Sequence, residues 1–172
     1  MSERFDTDIF AYVLMDNHYH LLLRTPKANL SRSMQWLGTT YTRRFNLDHF
    51  QSGHLFQGRY KSIIVQNDAY LLQLSCYIHR NPLRGGLTGR IDDYKWSSHK
   101  GYVSFARKWD WLHKNYVLAL LSKNRKDWLR YYKKWVSIEE EGEVSKIIDG
   151  KKWPLCLGPK TFIERIKATY GA

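Results

Sequence analysis

The stretch that most restricts what this chain can become is Ala11-Tyr-Val-Leu-Met-Asp-Asn-His-Tyr-His-Leu-Leu-Leu23, closed by Arg24-Thr25-Pro26. Two apolar, β-prone runs flank Asp16-Asn17, a turn signal, and together they predict a β-hairpin over residues 10–14 and 18–23. Residues two apart on a strand face the same side. His18 and His20 therefore present neighbouring imidazoles, roughly 6.6 Å apart at the usual strand rise. Two such rings on one rigid surface suit a shared metal ion. The plainer alternative is a pair of half-exposed strand histidines bonded to water or backbone.

Composition enters where it limits the partner. The 172 residues, 43% of them hydrophobic, are enough for a core domain and a small appendage. No uncharged apolar run reaches the length of a membrane span, and the first residues lack a signal-peptide pattern, so no membrane partner is expected. Cys76 and Cys156 lie 80 positions apart and form no metal or redox motif, which points to a reduced, cytoplasmic protein. Twenty-eight Lys+Arg against sixteen Asp+Glu give a net charge of +12, so the first expected partner is a polyanion, nucleic acid above all. Basic residues mixed with seven Trp and twelve Tyr suit single strands, whose phosphates meet cations and whose bases stack on rings. There is no Walker motif and no dinucleotide fingerprint.

After the hairpin, Asn29 or Ser31 caps a helix with the stripe Leu30, Met34, Leu37, Tyr41 and Phe45. Arg32, Arg43 and Arg44 fall on its other faces, as phosphate contacts or as an ordinary solvated surface. Residues 59–65 read as a strand that puts Arg59 and Lys61 on one face, a short row for phosphates, and Gly58 marks a bulge or a close backbone approach. His54 reads as a structural histidine. Asn67 or Asp68 starts a helix that runs to about residue 80, where Pro82 stops it. Its buried stripe is Leu71, Leu74 and Ile78. Gln73, Tyr77 and Asn81 form a polar row along the border at i, i+4 and i+8. A helix packed on a sheet aims such a border at the sheet, which takes Tyr77 toward the His18/His20 face. Tyr70 competes on nearly the same face, and a helical tyrosine taken alone is first a packing residue. Beyond a turn at Asp93-Tyr-Lys-Trp-Ser-Ser98, residues 109–121, 126–141 and 160–169 read as helices. A boundary near residue 105 divides an α+β core, 1–105, from a basic helical module, 106–172.

These motifs in this order resemble the single-strand tyrosine transposases of the HUH class, of the REP-associated type. The resemblance rests on Tyr12-Val-Leu-Met-Asp-Asn-His-Tyr-His-Leu-Leu-Leu, Leu30-Ser-Arg-Ser-Met-Gln-Trp, Gly53-His-Leu-Phe-Gln-Gly-Arg-Tyr-Lys and Tyr77-Ile-His-Arg-Asn-Pro-Leu-Arg-Gly. Asp93-Tyr-Lys-Trp-Ser-Ser and Leu157-Gly-Pro-Lys-Thr-Phe-Ile-Glu-Arg-Ile extend it over nearly the whole chain. It implies that His18 and His20 are paired metal ligands, that Tyr77 is the nucleophile, and that Asn81 occupies the place of a third, amide-type ligand. It implies nicking and joining of single-stranded or hairpin DNA through a 5′-phosphotyrosine, with a freed 3′-OH and Mg²⁺ or Mn²⁺. Imidazole suits borderline metals better than magnesium, so Mn²⁺ is expected to serve at least as well. Arg59, Lys61 and the basic C-terminal part would contribute to recognition of a hairpin-forming repeat. A homodimer is one arrangement the family allows, with Tyr77 serving its own chain or a partner.

The family's fold is ferredoxin-like, β-α-β-β-α-β. Here the hairpin begins about ten residues in, so the expectation is a truncated ferredoxin-like antiparallel sheet that lacks the first strand and helix. Helices would cover one face, and a small all-α module would follow. Two other readings stand beside this one, and the departure favours the first. One is a catalytically inactive or domesticated relic that binds repeat hairpins. The other is a metal-dependent RNA hydrolase, which would leave no covalent intermediate.

Overall fold

A computed structural model of the chain describes residues 1–66, 68–138, 143–150 and 152–170. It begins with α1 (Ser2–Phe5), β1 (Asp8–Leu14), β2 (Tyr19–Arg24) and α2 (Leu30–Asp48). Then come β3 (Ile64–Val65), α3 (Asp68–Arg84), α4 (His99–Tyr102), α5 (Lys114–Leu121) and α6 (Trp128–Ser137). The last elements are α7 (Glu143–Ile148), β4 (Cys156–Leu157) and α8 (Lys160–Tyr170). Helices and strands are mixed, as expected, and no described helix is long and apolar enough to cross a membrane. The chain divides into two compact units, Met1–Asp8 with Arg24–Ser62, and Ile9–Leu23 with Ile63–Ala172.

The first unit is built on α2. Asn29 stands at its N-cap, yet its amide donates to the Phe5 carbonyl at 2.8 Å instead of capping the helix. That bond ties the helix start to α1, where Arg4 and Phe5 pack on Trp36. The predicted stripe is present but shallow. Met34 is buried, whereas Tyr41 is 51% exposed and stacks with Phe45 and Phe56. Residues 49–62 form no regular element.

The second unit starts from the hairpin. The Met15 N–H donates to the His18 carbonyl at 2.8 Å and closes the turn at Asp16-Asn17 where the sequence places it. Residues 96–98 run antiparallel along β1, with Leu14 N–H donating to Trp96 O and Ser98 N–H to Tyr12 O. Phe10, Val13 and Leu22 of the hairpin share one core with Leu74 and Ile78 of α3. Tyr102, Leu112, Val117, Tyr132 and Val136 complete it from further along the chain. Burying one such side chain stabilises by about 1.5–3 kcal/mol, so the later helices hold the hairpin and α3 together. The expected boundary near residue 105 lies inside this unit.

Two elements differ from expectation. Of residues 59–65 only Ile64 and Val65 are strand, and they pair in parallel with Cys156 and Leu157 instead of joining the hairpin. Arg59, Lys61 and Ser62 are exposed, and a strand without an apolar face to bury has nothing to hold it in a sheet. Helix α3 also runs through Pro82 to Arg84. Proline removes one backbone bond, to the carbonyl four residues back, and the helix continues only two residues beyond it. Gly85 N–H bonds Asn81 O, and Gly86, at φ +67°, takes the left-handed turn that ends the helix. The predicted end of the middle C-terminal helix, at 139–141, lies outside the described residues.

A buried polar chain fixes α3 against its neighbours. Ser98 Oγ lies 2.7 Å from His79 Nε2, and Tyr132 Oη bridges His79 Nδ1 at 3.0 Å and His99 Nδ1 at 2.7 Å. His99 Nε2 reaches Asp92 at 2.9 Å. An ionised carboxylate only accepts, and this sets the direction of the chain as far as His79. His99 Nε2–H donates to Asp92, Tyr132 to His99, and His79 Nδ1–H to Tyr132; the Ser98 hydroxyl, which also lies 3.1 Å from the Tyr12 carbonyl, stands at the far end beside His79 Nε2. Burial drives the pKa of both histidines down, so both are neutral in this arrangement.

Candidate active site

His18 ends the turn and His20 enters β2. Their rings meet edge to face with centroids 5.0 Å apart. Asn17 Oδ1, an acceptor, lies 2.7 Å from His18 Nδ1. In the neutral ring that acceptor places the proton on Nδ1 and leaves Nε2 as the nitrogen with the lone pair. His20 is half-buried. Burial first, and then the neighbouring His18, lower its pKa to about 4, against a smaller upward pull from Asp149. It is neutral at pH 7, the form that ligates metals.

Helix α3 brings Tyr77 to this place. Its ring lies edge to face with that of His20, centroids 5.6 Å apart. Tyr77 is buried, and its hydroxyl donates to Asp149 Oδ1 at 2.8 Å. Asp149 follows α7 and takes an ion pair from Arg84 on its other oxygen, and the Arg84 guanidinium lies over the Tyr77 ring at 5.1 Å. The phenol pKa is pushed up, first by burial and then by the Asp149 hydrogen bond and charge, while Arg84 and Asn81 pull it down less strongly. Tyr77 is therefore a protonated phenol at neutral pH, and its use as a nucleophile needs a destination for that proton.

Asn81 stands one turn beyond Tyr77, buried, with an Nδ2 that has no hydrogen-bond partner. Turning its amide over would present an oxygen instead. Among the described residues no cluster of three or more His, Cys, Asp or Glu is arranged to hold a metal. The candidate donors are then two imidazoles and at most one amide oxygen. It fits a borderline divalent ion that keeps open positions, and it fits Mn²⁺ better than Mg²⁺.

The structure thus gathers His18, His20, Tyr77 and Asn81 in the second unit. Arg32, Arg43, Arg44, Arg59 and Lys61 all belong to the first unit and are exposed. Arg44 is engaged by Asp48 at 2.8 Å, one helical turn away. Tyr70, the competing phenol, packs part-buried against the core. Sequence reasoning missed Arg84 and Asp149. Arg84 stands at i+7 from Tyr77 and continues the 77–81 row, a signal hidden by ending the helix at Pro82. Asp149 is 72 positions from Tyr77 and carries no local mark.

Residues 1–81, which contain both histidines, Tyr77 and Asn81, match a family model described as "Transposase IS200 like". Over this segment the chain is similar to the IS200-like transposases. That likeness points, at the coarse level, to DNA processing of the transposase type with DNA as the partner. No curated protein and no solved structure matches the chain. Arg84 and Asp149 lie beyond the segment matched to the IS200-like family.

Proposed function

We propose that this chain is an IS200-like transposase, one that nicks and joins single-stranded DNA through a covalent link from Tyr77 to a 5′-phosphate. The observation that carries the reading is the edge-to-face contact of Tyr77 with His20, on a hairpin that sets His18 beside it. A phosphodiester repels nucleophiles by its own charge, so catalysis needs both a positioned attacking atom and neutralisation of that charge. His18 and His20, with Asn81 as third donor, would hold a divalent ion, whose chemistry is to withdraw charge from a non-bridging phosphate oxygen. Tyr77 supplies the attacking oxygen from a buried, fixed ring. The phenolate is also a good leaving group, so a DNA 3′-OH reverses the link and transfers the strand without ATP. In this reading Arg32, Arg43, Arg44, Arg59 and Lys61 bind DNA phosphates, the core keeps a curtailed ferredoxin-like character with the hairpin backed by α3, and Tyr77 serves its own chain or a partner in a homodimer.

One observation favours a second reading, a DNA-binding relic without chemistry. The Tyr77 hydroxyl is already committed to Asp149, and its proton is held more tightly than in a free phenol. A gel separates the two. Full-length protein is incubated with Mn²⁺ and a library of 3′-labelled single-stranded hairpin oligonucleotides. The transposase reading expects a labelled, denaturation-resistant adduct that is absent in Tyr77→Phe and retained in Tyr70→Phe, with DNA binding nearly equal in all three. DNA binding without any adduct favours the relic.

A further inference from the structure

We infer that Asp149 is a catalytic residue of this site, the carboxylate that takes the proton from Tyr77 as the phenol attacks phosphorus. The inference rests on the phosphotyrosine reading above and adds a residue outside the segment that carries the family match. Three observations support it. The Tyr77 hydroxyl points its hydrogen at Asp149 Oδ1 over 2.8 Å, a distance at which a proton transfers without rearrangement. The second carboxylate oxygen is anchored by Arg84, whose guanidinium also covers the Tyr77 ring, so acid and acceptor are held by one side chain. The Asp149 side chain is 46% exposed, which gives the acquired proton a way out to solvent while the phenol stays buried.

The step balances. As the Tyr77 oxygen forms its bond to phosphorus, its proton passes to Asp149 and the bond from phosphorus to the 3′ oxygen breaks. That oxygen leaves with the electron pair and takes a proton from water. Asp149 then releases its own proton to solvent. In the reverse direction the ionised carboxylate must be reprotonated before it returns a proton to the departing phenolate. The geometry explains a cost that would otherwise look counterproductive. A carboxylate beside the phenol favours the protonated resting state, yet it removes the need to form a free phenolate before attack.

The test uses the same adduct gel with full-length Asp149→Asn, Asp149→Glu and Asp149→Ala, beside wild type and Tyr77→Phe. Asparagine has the same shape and still accepts a hydrogen bond, but it cannot accept a proton. We expect Asp149→Asn to form adduct slower by roughly 10²-fold or more, with oligonucleotide affinity unchanged. Asp149→Glu should recover part of the rate, and sodium formate added to Asp149→Ala should restore adduct in proportion to its concentration. A wild-type rate in Asp149→Asn overturns the inference. So does a faster rate, which would make Asp149 an obstruction. A loss that neither glutamate nor formate repairs also overturns it and leaves Asp149 as a structural contact. If wild type gives no adduct, or Tyr77→Phe keeps it, the phosphotyrosine reading itself fails and this inference falls with it.

Discussion

At the scale of single side chains, chemistry and stability are separable at Tyr77. Tyr77→Phe keeps the ring that packs on His20 and Arg84 and loses only the hydrogen bond to Asp149. A hydrogen bond to a charged group is worth about 1.5–3 kcal/mol, so the variant should unfold within that margin of wild type in urea while it loses all adduct. A larger loss of stability would mean that the hydroxyl is structural. The histidines allow a test that needs no DNA. If the two rings share an ion, Mn²⁺ titration by calorimetry or paramagnetic resonance should show one site in wild type. That site should be lost in His18→Ala and in His20→Ala. Undiminished Mn²⁺ affinity in either variant would remove the histidine pair from the account.

At the scale of elements, the hairpin and α3 behave differently as sequence signals. The hairpin was legible because its turn and its alternation are local, and the structure closes it at Asp16-Asn17. The body of α3 was legible for the same reason, since Leu74, Tyr77, Ile78 and Asn81 repeat at helical spacing. Its end was not, because Pro82 reads as a stop while the structure absorbs it in the last turn, and with it went Arg84. Residues 59–65 had β-prone letters but no apolar face, and burial decided against propensity. Asp149 was out of reach because its contact is made only by tertiary packing. Two predictions belong at this scale. A Cβ on Gly101 in α4 would lie 2.8 Å from Leu112 and Trp109 atoms, so Gly101→Ala should lower stability by about 1–3 kcal/mol. An unchanged Tm would show that this corner is loosely packed. His79 and His99 both have folded pKa values below those of an unfolded chain. Their contribution is complete above the ordinary histidine range and is lost as pH falls through it. The slope is at most about 1.4 kcal/mol per pH unit for each. Urea unfolding between pH 7 and 5 should show that decline, and His99→Gln should reduce it. An equal slope in the variant would contradict the neutral, directional chain from His79 to Asp92.

At the scale of the whole molecule, the charge of +12 predicts binding to DNA that weakens steeply with salt. Each phosphate contact removed should lower the slope of log K against log salt by about 0.7 for a single strand. Arg59→Ala and Lys61→Ala should each do so. Arg44→Ala should do less, because Asp48 already holds that guanidinium. Equal slopes in all variants would place the DNA elsewhere on the surface. What ties the scales together is the family match over residues 1–81, which ends on Asn81, while the groups that hold the Tyr77 hydroxyl come after it. The candidate site is therefore completed, at the Tyr77 hydroxyl, by residues beyond the matched segment. The most direct measurement is mass spectrometry of a protease digest of the protein trapped on single-stranded hairpin DNA with Mn²⁺. A 5′-linked nucleotide is expected on the peptide that contains Tyr77, at the Tyr77 oxygen. A nucleotide on Tyr70 or on any other residue would contradict that expectation.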